Sequence, residues 1–362
     1  MKIVLFVLVA VLNTSGGTIK KDAKTVVTIQ QDQFLINGEL TYKGRYWNGH
    51  KIEGLLFNSR MVQGVFDDLN PETKVKFKYP DTGIWDAKRN TDEFVAAMRS
   101  WYQHGMLAFT LNLQGGSPTG YGNQQPWRNS AFDEKGGLRK SYMKRVEQIL
   151  DKADKLGMVV ILGYFYFGQD EHFENETAVM NAAYQATNWV LDKGYRNVVI
   201  EVANESNNRK YEQSIIKPDR IDQLMRQIKS VKKNGRRLLV AASFNGNTLP
   251  TPNVVRESDF ILIHGNGVND PYRITEMVEQ TRQIEGYQTM PIVFNEDDHY
   301  DFDQENCNMT AALKSNASWG FFDFRRSGET FNEGFQSVPV DWTINSDRKR
   351  KFFELVKEIT GF

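Results

Sequence analysis

Two glutamates lie at the ends of apolar segments, in a pattern that could cleave a bond between sugars. Glu205 belongs to Ala203-Asn204-Glu205-Ser206, which closes the apolar run 197–202, and Glu296 closes the run 290–296. If both runs are parallel strands of a (β/α)8 barrel, the two carboxylates lie on the rim where such barrels place their chemistry. Hydrolysis of a glycosidic bond needs such a pair, one carboxyl as acid and the other as nucleophile or base.

The neighbouring residue Asn204 offers an amide that could hydrogen-bond the sugar's 2-hydroxyl and help to position the ring. In a retaining mechanism the two carboxyl groups are about 5 Å apart. One of them protonates the leaving oxygen, so its surroundings must raise its pKa, while the other attacks the anomeric carbon. The alternative is that Glu205 and Glu296 are exposed loop acids, which is the usual situation of a single glutamate at a strand end.

From Gly54 onward, strand-like runs alternate with helix-like runs, a pattern typical of α/β folds with parallel strands. We predict a (β/α)8 TIM barrel over residues 54–362, after an N-terminal β-hairpin segment over residues 18–53 that turns at Asn37-Gly38. The predicted barrel strands are 54–58, 107–113, 158–163, 197–203, 237–242, 259–263, 292–294 and 320–324. An open doubly wound sheet is the alternative, and the lack of a glycine-rich phosphate loop after the first strand disfavours it.

The alternation of side chains along a strand predicts that the two glutamates face the same site. Glu201 and Glu205 share one face of the fourth strand, as Phe294 and Glu296 share one face of the seventh. In a barrel these faces can point inward, and the fourth and seventh strands lie across the mouth from each other. A sugar could therefore lie between Glu205 and Glu296.

With these motifs the chain resembles the clan A glycoside hydrolases, also called the 4/7 superfamily, and most closely the cellulase-like family 5. In that clan an Asn-Glu pair closes strand 4 and supplies the acid/base, and a glutamate that closes strand 7 is the nucleophile. Asn204, Glu205 and Glu296 match these positions, and Glu201 matches an earlier strand-4 glutamate. The resemblance covers residues 54–362 and implies a retaining enzyme that acts on β-linked glycans without a cofactor.

The resemblance also implies residues around the nucleophile. Arg60, after strand 1, matches an arginine that contacts the nucleophile carboxylate and would keep Glu296 ionised. His264, after strand 6, matches a histidine or tyrosine near the nucleophile. Trp319 lies just before strand 8, near the position of the family's sugar-stacking tryptophan, although a core position fits it equally well.

Further substrate contacts are expected from the loops that follow the strands. Arg325, after strand 8, could bind a hydroxyl or carboxylate of the substrate. Tyr164 and Tyr166 occupy the region after strand 3 where the family often carries a histidine, and they could form a wall of a sugar cleft. Ser206 also departs from the family pattern, because a proline often follows the acid/base glutamate.

The acidic stretch Asp297-Asp298-His299, with Asp301 and Asp303 beyond it, raises the alternative of a metal-dependent hydrolase or lyase. The spacing lacks the glycine and distal glutamate of a calcium-binding EF-hand loop. We therefore predict a solvated loop and no metal. A catalytically inactive carbohydrate-binding barrel is the other alternative, which the two intact glutamates disfavour.

The N-terminal composition predicts a secretory signal peptide over residues 1–17, because Lys2 precedes an apolar run over 3–12 and then small and polar residues. The chain is thus expected outside the cell or in the periplasm. The apolar run is too short for a bilayer, which takes about 20 residues. The formal net charge is zero and there is no basic block, which argues against nucleic acid or an anionic membrane as partner and leaves a carbohydrate substrate.

Overall fold

The computed structural model describes residues 23–122 and 124–362. The predicted signal peptide lies outside these residues. Within them, no helix is both long enough and apolar enough to cross a membrane.

The N-terminal segment forms a small antiparallel sheet, as the Asn37-Gly38 turn predicted. Its strands are β1 (Val27–Gln30), β2 (Gln33–Ile36) and β3 (Glu39–Leu40), and a separate ribbon follows with β4 (Tyr46–Trp47) and β5 (His50–Lys51). Asn37 and Gly38 both have positive φ angles, of 55° and 81°, and Ile36 pairs with Glu39 across the turn. This backbone geometry is the reason for an Asn-Gly pair at that position.

Parallel strands form the barrel wall. They are β6 (Asn58–Ser59), β7 (Ala108–Asn112), β8 (Val159–Phe165), β9 (Val198–Ala203), β10 (Leu239–Ala241), β11 (Ile261–His264), β12 (Ile292–Glu296) and β13 (Gly320–Phe321). The prediction of the first strand is displaced, because β6 shares only Asn58 with the predicted 54–58, and β13 covers only the first two residues of the predicted 320–324, since the two strands pair with each other over two residues. Their order around the wall follows their order in the chain, as a (β/α)8 barrel requires.

Backbone contacts link neighbouring strands all around the ring. One ladder joins β7, β8, β9 and β10, and two more join β11 to β12 and β13 to β6. Single bridges complete the junctions, Arg60 with Thr110 between β6 and β7 and Val293 with Ser318 near β13. Between β10 and β11, Asp259 N donates to Val240 O at 2.9 Å.

The helices surround this wall. They are α1 (Pro71–Lys74), α2 (Ala87–Gln103), α3 (Lys140–Leu156), α4 (Glu176–Asp192), α5 (Ile221–Ser230), α6 (Pro252–Glu257), α7 (Pro271–Arg282), α8 (Asn308–Lys314) and α9 (Asp347–Thr360), with 3₁₀ turns at Val62–Gly64, Asp170–His172 and Ser214–Ile216. The sequence pattern favours Thr91 as the start of the second helix, which is wrong. Asp86 caps that helix by accepting bonds from the backbone of Lys88 and Arg89, while Thr91 donates to Gly64 O.

The N-terminal sheet covers the bottom of the barrel, opposite the rim formed by the carboxyl ends of the strands. Val27 N donates to Arg196 O, just before β9, and the ring of Phe34 packs edge-on against Phe260, just before β11. Thr25 donates its hydroxyl to Asp154 O near the end of α3. The apolar end of the barrel is thereby shielded from water, and the opposite end remains open for loops that carry polar groups.

Candidate active site

Arg60 holds three groups of the rim together. It is only 1% exposed, and its Nη2 donates to Asn204 Oδ1 at 2.7 Å while Nη1 donates to Glu201 Oε2 at 3.3 Å. Its Nε lies 2.6 Å from Glu296 Oε2, although that N–H is not aligned with the oxygen and the contact is an ion pair. Buried charges need partners of opposite sign, and Arg60 supplies one to both Glu201 and Glu296.

The two glutamates predicted from the strand ends face each other across His264. One carboxylate oxygen of Glu205, one of Glu296 and a ring nitrogen of His264 all lie within 4.8 Å of one another. His264 Nδ1 is 3.4 Å from Glu205 Oε1 and 3.7 Å from Glu296 Oε2. The imidazole is fully buried, and although burial lowers its pKa, the charges of Glu296 and Glu205 outweigh this and raise it. His264 can thus share a proton or a positive charge with either carboxylate.

A bulge at the end of β12 brings Glu296 into the site. Ile263 pairs with Phe294 but His264 pairs with Glu296, so Asn295 is an extra residue in the strand. Asn295 Nδ2 donates to Glu201 Oε1 at 3.1 Å, and Glu296 Oε1 accepts from Asn266 Nδ2 at 2.5 Å. Simple alternation predicts that only Glu296 points inward. In the structure the side chains of Asn295 and Glu296 both contact the site.

Ser243, at the end of β10, fixes the backbone of Glu205. Glu205 has a φ of 51°, in the left-handed region that a residue with a side chain seldom adopts. Its N–H donates to Ser243 Oγ at 3.0 Å, and the same hydroxyl donates to Glu201 Oε1 at 2.7 Å. Ser206 N donates to Ser243 O at 2.9 Å. One serine therefore ties the strained turn of Glu205 to the buried carboxylate below it.

Aromatic side chains enclose the two carboxylates. Their cavity is lined by Glu205, Glu296, Ser117, Tyr121, Gly122, Tyr166, Phe167, Asn208 and Phe322, and it has a volume of about 40 Å³. A pocket for a small organic ligand typically has at least about 300 Å³. The cavity in this conformation is therefore too small for a ligand of that size. Tyr121 is the most exposed of the large side chains in this wall, at 59%.

Three of the predicted substrate contacts lie elsewhere. The expectation for Tyr164 is wrong, since its hydroxyl lies 3.1 Å from Thr187 Oγ1 on α4, outside the barrel wall. Tyr166 does line the cavity, because β8 ends at Phe165 and alternation no longer applies beyond it. Trp319 does not stack on a sugar, because it is fully buried beside Phe302 and Phe352 with Nε1 donating to Asp297 Oδ2 at 3.0 Å. Arg325 lies in a separate groove on the same face of the barrel.

The first residue of the acidic stretch after Glu296 is buried and hydrogen-bonded to other side chains of the protein. Asp297 is fully buried and accepts hydrogen bonds from His299, Asn308 and Trp319. Burial raises the pKa of Asp297, which its donors partly offset. Asp297, Asp298 and His299 lie close enough for a metal ion, but the Asp297 oxygens already have these partners. The donor set therefore fits a structural anchor for the rim better than a metal site.

Sequence reasoning did not identify Asn266, Ser243 and Asn208 as site residues. Asn266 donates to Glu296 Oε1, and Asn208 Nδ2 donates to Glu205 Oε2 at 3.3 Å. Each lies in the loop after a barrel strand, which is the region where catalytic faces of such barrels recruit polar groups. A survey of every polar residue within a few positions of a strand end would have included them.

We expect the acidic limb of the pH–rate profile to lie above the ordinary pKa of a glutamate. Burial raises the pKa of Glu296 above 4.5, against the opposing charges of Arg60 and His264, and the charge of Glu205 raises it further. If Glu296 must be ionised to attack, activity is lost as the pH falls through this raised pKa. The measurement is kcat/KM of an aryl β-glycoside against pH at constant ionic strength. A limb at or below pH 4.5 would contradict the expectation.

Comparisons by sequence find no relative, but comparisons by structure find many. No family model and no curated protein matches the chain. An endo-1,4-β-mannanase from Rhizomucor miehei has a TM-score of 0.55 at 11% identity, with 93% of this chain and 99% of that chain covered. A glycoside hydrolase family 5 mannosidase from the same organism has a TM-score of 0.54 at 13% identity, with 94% and 97% covered. This chain has their fold.

The fold is therefore the (β/α)8 barrel of the glycoside hydrolase family 5 structures, at low sequence identity. A third similar structure, of a glycoside hydrolase from Bacteroides vulgatus, has a TM-score of 0.53 at 13% identity. The alignment covers 91% of this chain and 60% of that chain. At such identities the likeness concerns the fold alone. The chemistry of this chain must be argued from its own residues.

Proposed function

We propose that this protein is a retaining glycoside hydrolase that cleaves β-linked oligo- or polysaccharides, with Glu296 as nucleophile and Glu205 as acid/base. The observation that carries the proposal is the distance between the two carboxylates, whose facing oxygens lie within 4.8 Å. Retaining enzymes hold their carboxyl groups about 5 Å apart, whereas inverting enzymes leave about 6.5 to 9.5 Å for a water. The mannanase and mannosidase with the same fold are consistent with a carbohydrate substrate.

The two roles follow from the partners of each carboxylate. Glu296 has the guanidinium of Arg60 at 2.6 Å and the amide of Asn266, both of which stabilise an anion. Glu205 has a weaker amide contact from Asn208 at 3.3 Å and the imidazole of His264 at 3.4 Å. These partners favour Glu296 as the attacking group even though burial raises its pKa, and Glu205, beside His264, is then the proton carrier.

The reaction then runs in two steps at the same carbon. Glu296 attacks the anomeric carbon as Glu205 donates its proton to the glycosidic oxygen, so the bond to the leaving sugar breaks and a glycosyl ester forms. A water molecule next attacks that carbon while Glu205 removes its proton, and Glu296 leaves as a carboxylate. The aromatic wall of Tyr166 and Phe167 limits access of water during the first step.

The test is hydrolysis of a panel of β-linked glycans and aryl β-glycosides, with the anomer of the first product followed by proton NMR. A β-anomer as the first product would support retention, and an α-anomer would overturn it. Hydrolysis that stops when EDTA is added would favour the metal-dependent alternative. Tight binding without hydrolysis would favour the inactive carbohydrate-binding barrel.

We expect Ser243→Ala to slow hydrolysis by an amount that depends on the leaving group of the substrate. Without the hydroxyl, the strained backbone of Glu205 loses its partner, and proton donation to the leaving oxygen becomes misaligned. General acid catalysis contributes about 10²–10⁴-fold, so a loss of about tenfold or more in kcat/KM is expected for glycans. Dinitrophenyl β-glycosides, whose leaving group needs no proton, should lose much less.

The matched control for Ser243 is Ser206→Ala, which removes a fully buried hydroxyl that makes no hydrogen bond within the described part of the chain. It should leave the ratio of glycan to dinitrophenyl glycoside activity unchanged. An equal loss on both substrate types in Ser243→Ala would show that the serine acts on folding or binding and not on the proton donor.

We further propose that the protein is secreted, on the basis of Lys2 and the apolar run 3–12. N-terminal sequencing of protein recovered from the medium or periplasm would test this. A new N-terminus near residue 18 is expected, and retention of the whole chain inside the cell would refute the proposal.

A further inference from the structure

A second groove on the same face of the barrel carries three cations that form no direct ion pair in the described part of the chain. Its walls include Lys76, Lys78 and Arg325, and its volume is about 310 Å³. In the part of the chain that the structure describes, no carboxylate forms an ion pair with any of these three residues. On a protein whose formal net charge is zero, three such cations around one groove form a local positive potential.

The geometry of Arg325 prepares it for an anion. Its Nε donates to Glu333 O at 3.3 Å and its Nη2 donates to Pro339 O, so neutral carbonyl groups hold the guanidinium in place. Glu329 also lines the groove, but Arg348 occupies both of its carboxylate oxygens. Glu329 is therefore paired with Arg348 from outside the groove, and the charges of Asp323, Glu333 and Glu329 act on Arg325 without a direct ion pair in the described part of the chain.

The groove and the cavity beside Glu205 and Glu296 are lined by the same loop. Ser117 lines the cavity and the next residue, Pro118, lines the groove. Consecutive Cα atoms are only about 3.8 Å apart, so the groove begins one residue from the wall of the cavity. Phe331 and Pro118 add apolar surface on which the face of a sugar ring could pack. A glycan held between Glu205 and Glu296 could thus extend into the groove.

We propose that this groove binds an anionic sugar residue of the substrate, one that bears a carboxylate or a sulfate ester. The proposal rests on the glycosidase function above and narrows its substrate to acidic β-linked glycans. A guanidinium recognises such planar or tetrahedral oxyanions through paired N–H donors, and Lys76 and Lys78 add two mobile charges at the rim. Recognition would weaken as salt screens the exposed lysines.

The test compares each acidic glycan with its own neutral form. One pair is a uronic acid-containing β-glycan and its carboxyl-reduced product, and the other is a sulfated β-glycan and its desulfated product. Wild type is compared with the double variant Lys76→Gln/Lys78→Gln and with Arg325→Gln. Lys74→Gln is the matched control, because Lys74 is an exposed lysine of the same segment that does not line the groove.

We expect wild type to prefer an acidic member, and the double lysine variant to lose about tenfold in kcat/KM on it while the neutral member is unaffected. The pair that shows the preference identifies carboxylate or sulfate as the ligand. Equal rates on the acidic and the neutral member of each pair would overturn the proposal. A loss in Lys74→Gln equal to that in the double lysine variant would also overturn it. Because Arg325→Gln removes two loop contacts, the lysine variant remains decisive if Arg325→Gln fails to fold.

Calorimetric binding of the acidic oligosaccharides to Glu296→Gln separates this proposal from the proposed function. Binding that the lysine substitutions weaken, without hydrolysis by wild type, would support the groove and refute the glycosidase. Hydrolysis of neutral glycans, without any preference for the acidic form in binding, would support the glycosidase and refute the groove.

Discussion

Replacement of Glu296 by glutamine is expected to lower kcat/KM by about four to six orders of magnitude, as loss of a covalent nucleophile does in other hydrolases. The amide keeps the volume of the side chain, and Asn266 and Arg60 can still contact it. However, a neutral amide cannot attack the anomeric carbon, so no glycosyl ester forms. Rates on an aryl β-glycoside, with circular dichroism and thermal unfolding as checks on the fold, provide the measurement.

Asp298→Asn is the control for Glu296→Gln, because it neutralises another carboxylate of the rim, which accepts the Gly267 N–H at 3.1 Å and lies 3.3 Å from His299 Nδ1, away from Glu205 and Arg60. It should retain most of the activity. Azide then distinguishes the two catalytic roles. With Glu296→Ala it should yield a glycosyl azide of inverted configuration, and with Glu205→Ala one of retained configuration. The opposite assignment of products would exchange the two roles.

Arg60→Met is expected to impair stability and activity together. The methionine fills much of the same space, but Glu201 and Glu296 lose the buried cation between them. Removal of one partner from a buried ion pair costs about 3–5 kcal/mol in free energy of unfolding. Loss of a group that stabilises the transition state typically lowers kcat by about 10²–10³-fold. Denaturant unfolding and kcat, both at pH 7, would measure these effects.

The sign of the pH dependence tests the electrostatic origin of the Arg60 effect. Without the cation, the pKa of Glu296 in the folded protein rises further above its unfolded value. Protonation then stabilises the folded state, so the stability defect should be smaller at pH 5 than at pH 7. Arg145→Met removes an arginine that pairs with the partly exposed Asp67 at 3.0 Å, and it should cost about 1 kcal/mol or less. A defect in Arg60→Met that is independent of pH would indicate lost packing.

The positions of the two glutamates could be predicted because both follow directly from strand order. A parallel strand must end on the catalytic rim, so Glu205 and Glu296 needed no knowledge of distant contacts. The resemblance to family 5 added Arg60 and His264, and the structure places both beside Glu296. This part of the site depends on local sequence and chain order.

Features that depend on pairing between distant segments could not be predicted. The bulge that turns Asn295 inward exists only in register with β11, and Ser243 reaches Glu205 only because β9 and β10 are neighbours. Tyr164 was assigned wrongly because the end of β8 at Phe165 decides which side chains face the cavity. Single-sequence patterns contain no information on these registers.

The packing of both ends of the described chain at the bottom of the barrel has a practical consequence for work with insoluble glycans. Thr25 contacts Asp154 there, and Phe362 packs its ring near Tyr42, whose hydroxyl donates to Gly105 O just before β7. Both ends of the described chain therefore lie on the face opposite Glu205 and Glu296. A tag or surface linker attached at either end would leave the mouth facing solution, and immobilised enzyme could be presented to particulate substrate with its orientation set by the fold.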